Sequence, residues 1–233
     1  MFIYKNNDII YIRKKRKEGK IKMNYTDLSN NFLTKAKIEG FEDLVNISTI
    51  ILNREISLSD IEDYTGSNLE SVIRYWNRID DEQNIPISER KPIKIFIDSY
   101  GGSLTSTFTI IDSMRLSKTP VYTIVTGKAY SGGFFIAING HKRFTYKNAG
   151  FLFHEGSTGT GNMDAGKFRN YTEFYNKKIE LLKQITLEKT KISEELYEKH
   201  KLDDWWIDAN EAIELGICDE ICNSFSFEGG KTE

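Results

Sequence analysis

A chain of 233 residues has room for one substantial α/β domain plus a short extra arm. Charged residues make up 28% of it, but the signs nearly cancel to a formal −2, which argues against a chain devoted to nucleic acid. Cys218 and Cys222 are its two cysteines and have no second Cys/His pair nearby, so they read as reduced thiols and no metal site is expected. Nothing resembles a secretory core or a membrane-length apolar run, so the expected location is the cytoplasm.

The first 46 residues read as an arm, partly ordered or pro-segment-like. Ile9 to Ile12 form a short strand candidate, followed by a basic run from Arg13 to Lys17 and a polar stretch from Asn24 to Asn31. Regular α/β punctuation marks a domain over residues 47–222. It opens on an apolar run of strand length, Ile47 to Leu52. Leu69, Val72, Ile73 and Trp76 fall at helical spacing between Asn68 and Arg78, and the polar, Pro86-containing stretch Asp80 to Arg90 reads as a loop.

Lys94 to Asp98 then reads as a buried strand. A Gly101-Gly102 turn follows, leading to a helix with Leu104, Phe108, Ile111 and Met114 on one face. Val121 to Thr126 supplies the next strand, a turn over Gly127 to Tyr130 comes after it, and an apolar helix begins at Ser131. Further strands fall at Arg143 to Tyr146 and Gly150 to Phe153. This alternation implies parallel βαβ units, covered on both faces. Beyond the Glu155 to Asn162 loop, a long helix from Asp164 to Lys189 exceeds what one sheet needs and is suited to a neighbouring subunit. A helix from Ser193, another over Asn210 to Leu215, a strand over Ile217 to Ile221 and a loose tail over 223–233 complete the reading.

Three local patterns carry chemistry. Ser131, followed by Gly132-Gly133, sits at a strand-to-helix turn, where unpartnered backbone N–H groups meet a hydroxyl. The same residues also make an ordinary helix cap. His154 ends the Gly150 to Phe153 strand, where active sites of open α/β sheets collect, and it supplies a base that works near neutral pH. Asp98 to Ser103 (DSYGGS) repeats the Gly-Gly turn on the neighbouring connection.

Taken in order, these stretches resemble the Clp proteolytic subunits. DSYGGS is similar to that family's N-S-P-G-G-S turn, Gly127 to Gly133 (GKAYSGG) to its G-x-A-x-S-x-G turn, Phe151 to Glu155 (FLFHE) to its M-I-H-Q strand end, and Asp208 to Asp219 (DANEAIELGICD) to its S-A-x-E-A-x-x-x-G-L-x-D ending. The resemblance implies a ClpP/crotonase-like α/β fold, a repeated β-β-α spiral with a long protruding handle helix. It implies a serine endopeptidase that cleaves unfolded polypeptides and peptides through an acyl-enzyme. Ser131 would be the nucleophile, His154 the general base, and the N–H groups of Gly102 and Gly132 the oxyanion hole. It further implies a homo-oligomer of heptameric rings stacked as a tetradecamer, fed by an AAA+ unfoldase that consumes ATP, with no cofactor in this chain.

Two departures stand out. Tyr100 replaces the turn's usual proline. A gapless continuation also puts His200 where the family carries its triad aspartate, with Asp203 and Asp204 shortly after as alternatives. The expectation is therefore His200 as third member, or Asp203 or Asp204 by local rearrangement. A weakly active or inactive ring subunit serving as scaffold or adaptor is the alternative function. Two other readings rank lower. A crotonase-like acyl-CoA enzyme does not explain a paired serine and histidine, and a Ser/Lys signal-peptide peptidase usually carries a membrane anchor.

Overall fold

A computed structural model describes residues 2–6, 9–13, 21–24, 53–156 and 161–227. The chain divides into two units, Met1–Asn53 and Arg54–Glu233. The first holds three antiparallel strands, β1 (Phe2–Asn6), β2 (Ile9–Arg13) and β3 (Ile21–Asn24), with Tyr4 opposite Tyr11 and Ile10 opposite Met23. The rest of the basic run after Arg13, the rest of the polar stretch after Asn24 and the strand expected over Ile47 to Leu52 lie outside the described residues.

The second unit alternates strands and helices. In chain order it contains β4 (Glu55–Leu58), α1 (Thr65–Glu82), β5 (Ile93–Ser99), α2 (Leu104–Leu116), β6 (Val121–Tyr130), α3 (Gly132–Ala137), β7 (Lys142–Thr145) and β8 (Gly150–Phe153). Next come α4 (Ala165–Lys189), α5 (Glu194–His200), β9 (Trp205–Asp208), α6 (Ala209–Glu214) and β10 (Glu220–Ile221). The sheet runs β10-β7-β6-β5-β4 in parallel, the mixed α/β architecture expected.

The long strand β6 organises the rest. Its first half pairs with β7 through Tyr122 to Val125, and its last three residues pair instead with β8, Tyr130 lying opposite Leu152. The turn expected over Gly127 to Tyr130 is thus strand, because β8 supplies the ladder that β7 has left. An irregularity in the β5–β6 register between Ile97 and Ser99 accompanies the change. On its other edge β8 pairs antiparallel with β9.

The core lies between the sheet and α1, α2 and α3, with Ile93, Ile95, Ile97, Ile110, Ile111 and Met114 fully buried. On the opposite face Ile124 and Phe144 are covered by Phe227, which meets Phe96 and Phe144 edge-on at 5.5 and 5.6 Å. The tail expected to be loose from residue 223 is therefore packed at Phe227, since one aromatic ring shields apolar sheet surface from water. Helix α1 runs past the predicted loop start at Asp80 because that carboxylate is buried against Arg54. The buried residues of α4, namely Leu182, Ile185 and Thr186, lie in its C-terminal half. Its N-terminal half stands out, with Phe168 and Phe174 exposed.

Candidate active site

Ser131 stands between β6 and α3 with φ +52° and ψ −120°, a conformation that costs a non-glycine residue strain. Both of its backbone groups are anchored. The N–H donates to Leu152 O at 3.0 Å and the carbonyl accepts from Phe134 N at 3.0 Å. The first of these bonds ties the serine to β8 two residues before His154. The hydroxyl is thereby presented at the start of α3, where the Gly132 N–H has no acceptor within the helix.

The second glycine turn is pressed against the first. A Cβ on Gly101 (φ +93°) would lie 2.8 Å from both Gly132 N and Ser131 Cβ. One on Gly102 (φ +142°) would lie 2.2 Å from Ile61 O, and one on Gly132 would lie 2.5 Å from Thr107 Oγ1 and 3.6 Å from Gly102 N. Only glycine allows this approach. Ile61 clamps the turn from outside, donating to Gly101 O at 2.9 Å and accepting from Ser103 N at 2.6 Å. Tyr100, in place of a proline, leaves the turn intact and meets Tyr130 edge-on at 5.9 Å.

His154 follows β8, and the β8–β9 register decides what faces it. Phe153 lies opposite Trp205, so one step further the ladder sets His154 opposite Asp204. His154 Nδ1 is 3.7 Å from Asp204 Oδ1. Its Nε2 is buried and makes no hydrogen bond, so the Ser131 hydroxyl does not engage it in this conformation. Ser131, Gly102, Gly132 and His154 all line one cavity of about 800 Å³, walled by Phe108, Phe135, Tyr171 and Tyr175. Burial, then the neighbouring Tyr171 and Glu155, push the Tyr175 hydroxyl up, so it remains protonated there.

His200 is half-buried and its ring stacks on Trp205 at 4.2 Å and 19°. Asp203 is exposed, with its N–H donating to His200 O at 3.1 Å. Of the three residues weighed for the third position, Asp204 is the one whose side chain approaches His154. Sequence reasoning missed β9, and with it the register that selects Asp204. The signal was Trp205-Trp206-Ile207, a run of strand-favouring residues ahead of the Asp208 cap. Tyr130 and Phe134, expected as bulk beside the nucleophile, differ in role. Phe134 is fully buried against Phe153, whereas Tyr130 packs edge-on with Tyr100 and the exposed Trp206.

Among the described residues no group of His, Cys, Asp and Glu side chains is placed to hold a metal ion, and no helix is long and apolar enough to cross a membrane.

A family model described as Clp protease matches residues 83–225, a stretch that contains Gly102, Ser131, His154 and Asp204. The ATP-dependent Clp protease proteolytic subunit of Lactococcus lactis subsp. lactis (strain IL1403) is 35% identical over 142 residues, covering 59% of this chain and 71% of that protein. The corresponding protein of Streptococcus mutans serotype c (strain ATCC 700610 / UA159) is 34% identical over 135 residues, covering 56% and 68%. Proteolytic subunit 1 of Streptomyces avermitilis is 37% identical over 140 residues, covering 58% and 63%.

Proposed function

The chain belongs to the Clp protease family and is a peptidase, and from that premise we propose that it cleaves unfolded polypeptides and peptides through an acyl-enzyme on Ser131. Ser131 Oγ attacks the scissile carbonyl while His154 Nε2 takes its proton, then returns it to the departing amine. Water, activated by the same nitrogen, releases the acyl group. The N–H groups of Gly102 and Gly132 receive the oxyanion, since their turns converge on the serine. Asp204 accepts from Nδ1–H, selecting the tautomer that leaves Nε2 free as base and favouring the imidazolium that forms. The observation that carries this reading is the Asp204 carboxylate 3.7 Å behind His154, with Nε2 unpartnered on a cavity that Ser131 also lines.

The active form in this proposal is a homo-oligomer of stacked heptameric rings working in the cytoplasm, with ATP consumed by a partner AAA+ unfoldase. The projecting half of α4, with exposed Phe168 and Phe174, offers the surface through which subunits meet. The peptidase domain spans 47–222. A second reading, a ring subunit that assembles without cutting, draws on the missing hydrogen bond between Ser131 and His154.

A short peptide p-nitrophenyl ester separates the two. The enzyme reading expects a burst of about one nitrophenolate per folded subunit before the slower steady state, abolished in Ser131→Ala. A folded, assembled protein that gives no burst supports the scaffold reading instead.

A further inference from the structure

We propose that His200 is a positioning residue, whose ring stacked on Trp205 holds the 200–205 turn so that Asp204 stands opposite His154. The proposal rests on the assignment of Asp204 as the group behind the base. Asp204 itself is weakly held: its side chain is 60% exposed and its carboxylate stops 3.7 Å from Nδ1, longer than a good hydrogen bond. An exposed carboxylate at that distance keeps its rotational freedom unless the backbone beneath it is fixed.

The turn supplies that fixation from three sides. The His200 and Trp205 rings lie 4.2 Å apart and nearly parallel, joining the first residue of the turn to the residue that follows Asp204. Asp203 N–H donates to His200 O at 3.1 Å, closing the chain between them. Glu155 N–H, next to the base, donates to Lys201 O at 3.3 Å, so the base and the turn share a backbone link. Trp205 is in turn seated on β8, opposite Phe153 in the ladder and edge-on to its ring at 6.1 Å and 86°. Loss of the stack therefore leaves the side of Asp204 that no strand holds to two backbone hydrogen bonds and loosens it. His200 never touches the reacting atoms in this account. It acts through Trp205 and Asp204.

The test compares His200→Ala, His200→Phe, Asp204→Asn and the double variant His200→Ala/Asp204→Asn in the full chain. It reads kcat and KM for a peptide ester, per site titrated with a fluorophosphonate. An aromatic stack of this kind is expected to alter kcat roughly threefold to tenfold. His200→Ala should lower kcat by that factor with KM unchanged. His200→Phe, which keeps a flat ring on Trp205, should recover activity to within about twofold of the parent. On the Asp204→Asn background His200→Ala should cost nothing further, because the two act as one unit. Counting titrated sites removes any loss that comes only from unfolded protein. Should His200→Ala fail to fold, His200→Gln replaces it as the variant lacking a ring.

Wild-type kcat in His200→Ala alongside an impaired Asp204→Asn overturns the positioning role and leaves Asp204 standing. Equal losses in His200→Phe and His200→Ala overturn the stacking mechanism. Unchanged kcat in Asp204→Asn overturns the underlying assignment itself.

Discussion

Replacing Ser131 with glycine is expected to raise the melting temperature while lowering kcat for a peptide ester on the order of 10⁴- to 10⁶-fold. The two effects have one cause. At φ +52° and ψ −120° the serine occupies backbone space that glycine enters freely, and such strain costs a non-glycine residue about 1–3 kcal/mol. Part of that returns on substitution. A gain of about 1 kcal/mol shifts the midpoint of a chain this size by roughly 2–4 °C. Activity should disappear because the proposed mechanism forms its covalent bond through the hydroxyl that is removed. His154→Ala provides the contrast: kcat should fall by a similar order, with no gain in melting temperature, since His154 has no positive φ to relieve. Thermal melts and steady-state kinetics on the three proteins check the pattern. A Ser131→Gly variant that is less stable than the parent contradicts the claim that the turn stores strain for function.

Breaking the buried pair between Arg54 and Asp80 is expected to be the largest single loss of stability in the second unit. The Asp80 side chain is fully buried, and both of its oxygens accept from Arg54, at 2.6 and 2.8 Å. Thr119 Oγ1 donates to the same carboxylate at 2.7 Å, Arg54 also donates to Lys91 O at 2.8 Å, and the guanidinium lies 4.2 Å over Trp76. Asp80→Asn or Arg54→Met leaves one charge buried without its counterpart, a defect worth about 3–5 kcal/mol. Replacing both, as Arg54→Met/Asp80→Leu, should recover much of that loss, because the desolvation cost disappears along with the pair.

The pair also sets a pH dependence. Burial works against the Asp80 charge, but hydrogen bonds from Arg54 and Thr119 outweigh it and hold the carboxyl below its ordinary range. A depressed carboxyl contributes stability that is present above its unfolded pKa, near 4, and is lost as pH falls through the folded value. Denaturant unfolding of the parent should therefore weaken in acid more steeply than that of the double variant. Single variants that unfold within about 1 kcal/mol of the parent would contradict the network's importance.

Asp80 also marks where the sequence misleads. A polar run from Asp80 to Arg90 reads as loop, and nothing local discloses that its first aspartate is neutralised by an arginine 26 positions away. Strand β5 was legible because Ile93, Ile95 and Ile97 recur at every second position, the side that is fully buried. The serine turn and the histidine at the end of β8 were legible for a different reason: glycines and a lone strand-end base leave a local trace. The carboxylate behind His154 left only an indirect one, the Trp205-Trp206-Ile207 run that marks β9. Which residue faces the base is a property of register, since Asp204 comes to 3.7 Å from His154 Nδ1 where Phe153 pairs with Trp205. A pairing between strands more than fifty positions apart is invisible to spacing. Continuing the family pattern without gaps lands on His200, the residue that instead stacks on Trp205.

Covalent capture of the nucleophile tests the central claim most directly. The assembled full chain, treated with a fluorophosphonate and digested, should carry the phosphonyl group on the peptide containing Ser131, with labelling lost in Ser131→Ala and slowed in His154→Ala. Folded, assembled protein that takes no label at Ser131, or takes it as fast without His154, would contradict the account.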